Sequence, residues 1–366
     1  MGASKVPFFG VAREYASHRQ QILERIDHVL SGGRVLQGEE IEALEARMAS
    51  LAGRRFAVAV ASCTDALYFA LKALRVGPGD EVLVTNFSFV ASASAILRAG
   101  ARPVFVDVDE SYNMDLNRAS ERISSRTKAM VYVQLYGLMS DPDEIESFAR
   151  AYGIKVIEDA AQALGAKFGG RPAGSVGEAS CMSFDPTKVI SAPGSGGMVL
   201  TDSEGLAKHV RSLRYHGAES RGIYKLLGYN SQMPSLVASV LDYKLDHNEK
   251  WLERRRSIAK FYIESLRGLP LKLPTEPKNA VHSYHKFVIR CNNRDALRGF
   301  LLDQGIEVRV HYPHLLSQQP LFQNLNEPQS LFPRASAFSR TVLSLPIHPF
   351  LSDEEILSLI HISEPT

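Results

Sequence analysis

The chain has 366 residues, 45% of them hydrophobic, with a formal net charge of +2. That much apolar sequence fills a large core and favours two lobes over one, while interspersed charges of both signs exclude the basic arm or stripe of a nucleic-acid binder. Three scattered cysteines, Cys63, Cys181 and Cys291, form no CxxC pair, and no apolar run reaches membrane-spanning length, so the expectation is a cytoplasmic protein without a disulfide framework, zinc site, membrane or nucleic-acid partner. The N-terminus is polar and lacks a signal-like apolar region, and Val6 stands where a myristoylation motif needs Ser or Thr.

Helical spacing predicts a first helix over Glu14 to Leu30, ended by Ser31-Gly32-Gly33. A second follows from about Gly38 to Leu51, with Ile41, Leu44 and Met48 on one face. Short β-rich runs then alternate with helical stretches: Phe56–Ala61, Glu81–Thr85, Pro103–Asp107, Ala129–Gln134, Lys155–Asp159, Ala179–Phe184 and Gly197–Thr201. Runs this apolar, bounded by Gly, Pro and Asp, predict strands buried on both faces. The helices between them imply an α/β fold with a mostly parallel seven-stranded sheet. Asp115 to Ile123 and Pro142 to Ala151 read as crossovers.

The pattern changes after Arg214. His216 to Asn230 reads as an exposed loop, and Ser235 to Leu266 as one long helix whose Arg254-Arg255-Arg256 cluster is a solvated face. Beyond Gly268-Leu269-Pro270 a small α+β lobe is expected. It would hold a strand over His282 to Arg290, a helix over Asp295 to Gln304 and a strand over Val308 to His311. The division is an N-terminal helical segment 1–34, a large domain 35–245 and a small C-terminal domain 246–366. The last helix, from Asp353, stops early in His361-Ile362-Ser363-Glu364-Pro365-Thr366, because Pro365 cannot continue a helix interior.

Several residues carry candidate chemistry. Ala61-Ser62-Cys63-Thr64-Asp65 ends a strand and begins a helix, whose free N–H groups form an anion site, with Thr64 as donor or cap. Asp159 lies where an apolar strand runs out, the ligand edge of an open α/β sheet. Strand alternation turns Glu158 to the other face, and Gln162 follows close behind. Lys188 lies in Ser183-Phe184-Asp185-Pro186-Thr187-Lys188, ahead of Gly194-Ser195-Gly196-Gly197. Singly, each has an ordinary explanation: a helix cap, a surface lysine, a turn serine, a core phenylalanine at Phe89. Together, a lysine, a strand-end aspartate and a phosphate-type turn suit pyridoxal phosphate. That cofactor needs an amine for its aldehyde, an anion for its pyridinium nitrogen and donors for its phosphate. A Rossmann dehydrogenase is discounted, since no GxGxxG follows the first strand.

The order SCTDAL, NFSFVAS, EDAAQALGA, SFDPTK with GSGG, then RYHG and GYNSQM resembles the DegT/DnrJ/StrS family of sugar-nucleotide aminotransferases. These are pyridoxal phosphate enzymes of fold type I, and the resemblance runs from Val6-Pro7-Phe8 to Leu345-Pro346. It implies that Lys188 is the Schiff-base lysine, Asp159 the pyridinium partner, Gln162 the residue at the ring oxygen and Phe89 the stacking ring. Cys63, Thr64 and Ser183 fall at the phosphate. Asn230 matches an asparagine reaching the phosphate from the other subunit of a homodimer, and His311 and Tyr312 a segment near the sugar. The implied reaction moves an amino group from glutamate to a nucleotide-linked keto sugar, in polysaccharide or secondary-metabolite biosynthesis. Sugar dehydration and a non-catalytic regulatory role are the rivals. Dehydratase relatives replace the lysine with histidine, which Lys188 opposes. Departures from the family pattern are Cys63 for glycine, Gln232 for arginine, Asp185 for an aromatic or small residue, and Ser195 for aspartate.

Overall fold

A computed structural model of the chain describes residues 6–361, so the anticipated irregular end past His361 lies outside the described residues. Helices α1 (Val11–Gly32) and α2 (Glu39–Leu51) precede strand β1 (Phe56–Val60). Then follow α3 (Cys63–Ala73), β2 (Glu81–Thr85), α4 (Ala91–Arg98), β3 (Arg102–Val106), α5 (Leu116–Ser120), β4 (Thr127–Val133), α6 (Pro142–Tyr152) and β5 (Lys155–Asp159). Short strands β6 (Lys167–Phe168) and β7 (Arg171–Pro172) pair in a small separate sheet. The strands β8 (Ala179–Ser183) and β9 (Gly197–Thr201) and the helix α7 (Glu204–Arg214) return to the main layer. All seven strands expected from the apolar runs form one sheet, ordered β1-β9-β8-β5-β4-β2-β3. It is parallel except at β9, which runs antiparallel to both its neighbours.

Alternation along each strand fills two cores. Val58, Val82, Val84, Val131 and Ile157 pack with α3, α4 and α7 on one face. Ala57, Ala59, Leu83, Met130 and Val156 pack with α2, α6 and the helix α8 (Ser235–Leu245) on the other. Each fully buried Val, Leu or Ile contributes about 1.5–3 kcal/mol, so a sheet covered on both faces is the main source of stability. A third core gathers Ile258, Tyr262, Phe287, Ile289, Leu343 and Leu345 from the C-terminal part, and Val6 from the start of the chain joins it.

Five sequence expectations change here. The long helix is two, α8 and α9 (Asn248–Ser265), broken at Asp246 and His247. Arg255 is no solvated residue: it is 5% exposed and donates to the carbonyls of Tyr284 (3.2 Å) and Ile347 (2.8 Å). Three consecutive arginines point in three directions on a helix, and this one points into the third core. The segment after His216 carries a small hairpin, Ala218–Ser220 with Ile223–Tyr224, closed by a bridge between Tyr215 and Asn230. In the C-terminal part the strand begins only at Phe287, and Val308 to His311 forms a single bridge, Arg309 with Ser344.

Glu158 is fully buried and points away from Asp159, as alternation requires. Its carboxylate accepts from the N–H groups of Gly174 (3.0 Å) and Val176 (3.1 Å) and from Ser180 Oγ (2.7 Å). It therefore ties the segment before β8 to β5. Gln134 Nε2 donates to this carboxylate as well, at 3.3 Å, so Glu158→Ala takes the acceptor from four buried donors and should cost at least about 3 kcal/mol. A thermal-unfolding midpoint equal to that of the unmodified protein would contradict this role.

Candidate active site

The turn between β1 and α3 lies at the carboxyl edge of the sheet. Ser62 has the extended backbone of a cap, and its Oγ accepts from Asp65 N–H at 3.1 Å. Thr64, expected as a possible cap, sits inside the first helical turn instead. The N–H groups of Cys63 and Thr64 precede the first intrahelical bond and are available to an anion. Gly197 opens β9 directly against this turn. A Cβ there would lie 2.2 Å from the Ser62 carbonyl carbon and 2.4 Å from Cys63 N, so only glycine fits.

Asp159 ends β5 at 4% exposure. Ser92 Oγ donates to its Oδ2 at 2.7 Å, and Ala161 N–H to its Oδ1 at 3.2 Å. Burial pushes its pKa up, while Ser92, the Ala161 N–H and the charge of Lys188 pull it back towards ionisation.

The loop after β8 sets Lys188. Asp185 Oδ1 accepts from Thr187 N–H (2.9 Å) and Thr187 Oγ1 (2.6 Å), and the Asp185 carbonyl accepts from Lys188 N–H (2.9 Å). Behind this turn, Lys244 of α8 donates to the Ser191 carbonyl at 2.6 Å and pairs with Glu14 of α1. Burial lowers the pKa of Lys188, against the opposing pull of Cys63, Asp159 and Asp185. The amine therefore holds its proton less firmly than an ordinary lysine.

One cleft of about 1090 Å³, counted with its open mouth, collects these groups. Cys63, Thr64, Phe89, Asp159, Gln162, Ser183, Lys188, His311 and Tyr312 all line it. Phe89 is 55% exposed, whereas Phe87 fills the core position that a phenylalanine in this segment could have taken. Gln162 accepts from Tyr136 N–H (3.1 Å) and donates to the Tyr312 hydroxyl (3.0 Å). The His311 ring meets Ser344 Oγ at 2.9 Å, and its pKa falls to about 3 through burial and the nearby lysines 286 and 188. Asn230 does not line the cleft; it is exposed beside Gln232, whose Nε2 donates to it at 3.3 Å.

Sequence reading missed Ser92, Ser88, His285 and Lys286, which also line the cleft. Ser88 and Ser92 were legible only as small residues one helical turn apart; their hydroxyls meet at 3.2 Å. His285 and Lys286 were hidden at the mouth of an apolar strand.

A free helical first turn, a buried strand-end carboxylate with two donors, an amine of lowered proton affinity and an exposed ring fit what pyridoxal phosphate requires. Fold and cleft together define a fold type I pyridoxal phosphate-dependent transferase. The chain belongs to the DegT/DnrJ/EryC1/StrS aminotransferase family, whose model matches residues 16–362. It is 41% identical over 352 residues to the UDP-N-acetyl-3-dehydro-alpha-D-glucosamine 3-aminotransferase of Acidithiobacillus ferrooxidans, covering 96% of this chain and 95% of that one. It is 38% identical over 354 residues to a pleiotropic regulatory protein of Geobacillus stearothermophilus, covering 96% and 95%. Among solved structures, S. venezuelae DesV in complex with a ketimine intermediate superposes with a TM-score of 0.96 at 36% identity, covering 98% of both chains. NtdA of Bacillus subtilis with bound cofactor PMP superposes at 0.90 and 30% identity, covering 99% of this chain and 85% of that one.

Ser92 lowers the pKa of Asp159, so Ser92→Ala should raise it. Activity that needs ionised Asp159 should then fall away at a higher pH on the acid side, with the alkaline side unmoved. A kcat/KM profile against pH with an unchanged acid limb would refute the assignment.

Proposed function

We propose that this aminotransferase takes its amino group from glutamate and delivers it to a nucleotide-linked keto sugar, in polysaccharide or secondary-metabolite biosynthesis. One observation carries the reading: Lys188 and Asp159 meet in one cleft of a chain 41% identical to a sugar-nucleotide 3-aminotransferase. When bound, pyridoxal phosphate supplies an aldehyde for amines and a ring that takes up electrons from the carbon losing a proton.

The chain's own residues have these roles. Lys188 would hold the aldehyde of the bound cofactor, and its amine would serve as the base that moves a proton at the substrate carbon. Its lowered proton affinity favours the role of a base. Asp159, kept ionised by Ser92 and the Ala161 N–H, holds a proton on the pyridine nitrogen. Thr64, Ser183 and the N–H of Cys63 take the phosphate; a backbone donor tolerates cysteine where the family has glycine. Phe89 would stack on the ring, Gln162 would steady the ring oxygen, and His311 and Tyr312 would face the sugar. The cofactor belongs to a large domain spanning 35–245, against which a small domain, 246–366, closes the cleft.

A homodimer with shared sites accounts for two surface features. Asn230 lies outside its own cleft, and the adjoining hairpin exposes Ile223, Tyr224 and Leu227, the last at 85%. Asn230 then reaches the phosphate of the partner subunit's site.

The kinetics should be ping-pong, with Lys188→Ala losing about 10²–10⁴-fold or more in multiple turnover. Hydride reduction of the loaded protein, followed by mass spectrometry, should find the adduct on the peptide containing Lys188. Full turnover by Lys188→Ala defeats the reading. A colourless protein that takes up no cofactor would favour the regulatory role that the G. stearothermophilus relative's name suggests. Co-expressed Lys188→Ala and Asn230→Ala chains should regain activity that neither has alone, because one site of each mixed dimer carries neither lesion. No regain would exclude sharing through Asn230.

A further inference from the structure

We infer that Lys286 is the cation that holds a carboxylate of the amino donor, an inference that rests on the reading of the cleft given above. Lys286 stands just before the strand Phe287–Arg290 and is anchored by its N–H, which donates to the Tyr136 carbonyl at 3.2 Å. The residue is 6% exposed, yet it lines the same cleft as Lys188. Its amine lies 5.0 Å from the ring centre of Phe8 and 4.6 Å from that of Phe9. Among the described residues it makes no ion pair.

An ammonium in such a place is costly without an anion. Burial lowers its proton affinity well below that of a free lysine, the positive charges of Lys188 and Arg255 lower it further, and the charge of Asp185 offsets only part of this. The other charged groups of the cleft are already engaged. Asp159 accepts from Ser92 and Ala161, and Asp185 from Thr187. His285 and His311 are held neutral by burial, so neither competes for an anion. Lys286 is left as the amine that gains a firm charge only when an anion enters the cleft, beside the amine that moves the proton.

The chemistry of the two substrates decides which anion it meets. An amino acid carries a carboxylate one bond from the carbon that Lys188 deprotonates. A 3-keto sugar carries its diphosphate two ring carbons and an oxygen away from the reacting carbon. A cation on the wall shared with Lys188 therefore suits the donor, and the ring of Phe9, which also lines the cleft, offers an apolar wall to its methylene groups.

The test compares the cofactor-loaded protein with Lys286→Met and Lys286→Arg. Glutarate, an unreactive dicarboxylate, is titrated calorimetrically. The glutamate and keto-sugar half-reactions are followed separately through the visible cofactor band. Lys286→Met should weaken glutarate binding about 10- to 100-fold, as expected for losing a hydrogen-bonded charge. The concentration dependence on glutamate should shift equally, the keto-sugar half-reaction should stay within about twofold, and Lys286→Arg should recover most of the affinity. Unchanged glutarate affinity in Lys286→Met overturns the inference. So does a loss confined to the keto-sugar half, or an equal loss in both halves with unchanged glutarate binding. An unmodified enzyme whose band responds to no amino acid would instead overturn the aminotransferase reading, which the glutarate titration does not depend on.

Discussion

The proposed chemistry depends on keeping a carboxylate ionised at the end of a buried strand. Asp159 has almost no access to water, and burial alone would protonate it. Ser92, one backbone N–H and the amine of Lys188 supply what water would have supplied. Each comes from a different part of the chain: the start of α4, the turn after β5 and the loop after β8. The sheet order makes this meeting possible, since β2, β5 and β8 share one direction, with β4 between β2 and β5, and the segments that follow the three open onto the same edge.

The same logic runs through the supports of the site. Glu158, the residue before Asp159, is as deeply buried and also retains its partners, but it braces the scaffold rather than the cleft. Lys244 and Glu14 pair behind the Lys188 loop, so α1 and α8 hold the loop from outside the sheet. Gly197 lets β9 press against the turn that begins α3, whose first helical turn lines the cleft. Buried polar groups are satisfied in each case, which is what rigid placement of a reactive amine demands.

Seen this way, Lys286 stands apart. It is a buried amine that meets only the rings of Phe8 and Phe9 and makes no ion pair among the described residues, in a protein that provides hydrogen-bond partners for Asp159 and Glu158. A group of this kind is ordinarily tolerated where function requires it. Its neighbours, aromatic rings and neutral histidines, leave the charge available to a substrate.

Periodicity by itself determined the seven strands, their enclosure on both faces and the opposite orientation of Glu158 and Asp159, because alternation is local and every apolar run was short and bounded. The order of motifs also placed Lys188, Asp159, Gln162 and Phe89 in one family pattern. Only the tertiary structure decided what long-range contact controls. It gave the cap to Ser62 over Thr64, split the helix at Asp246 and His247, buried Arg255, and reduced Val308 to His311 to one bridge. It also brought Ser92 and Lys286 into the cleft. A serine or lysine has the same local preferences wherever it sits, and its meaning comes from what the fold sets opposite it.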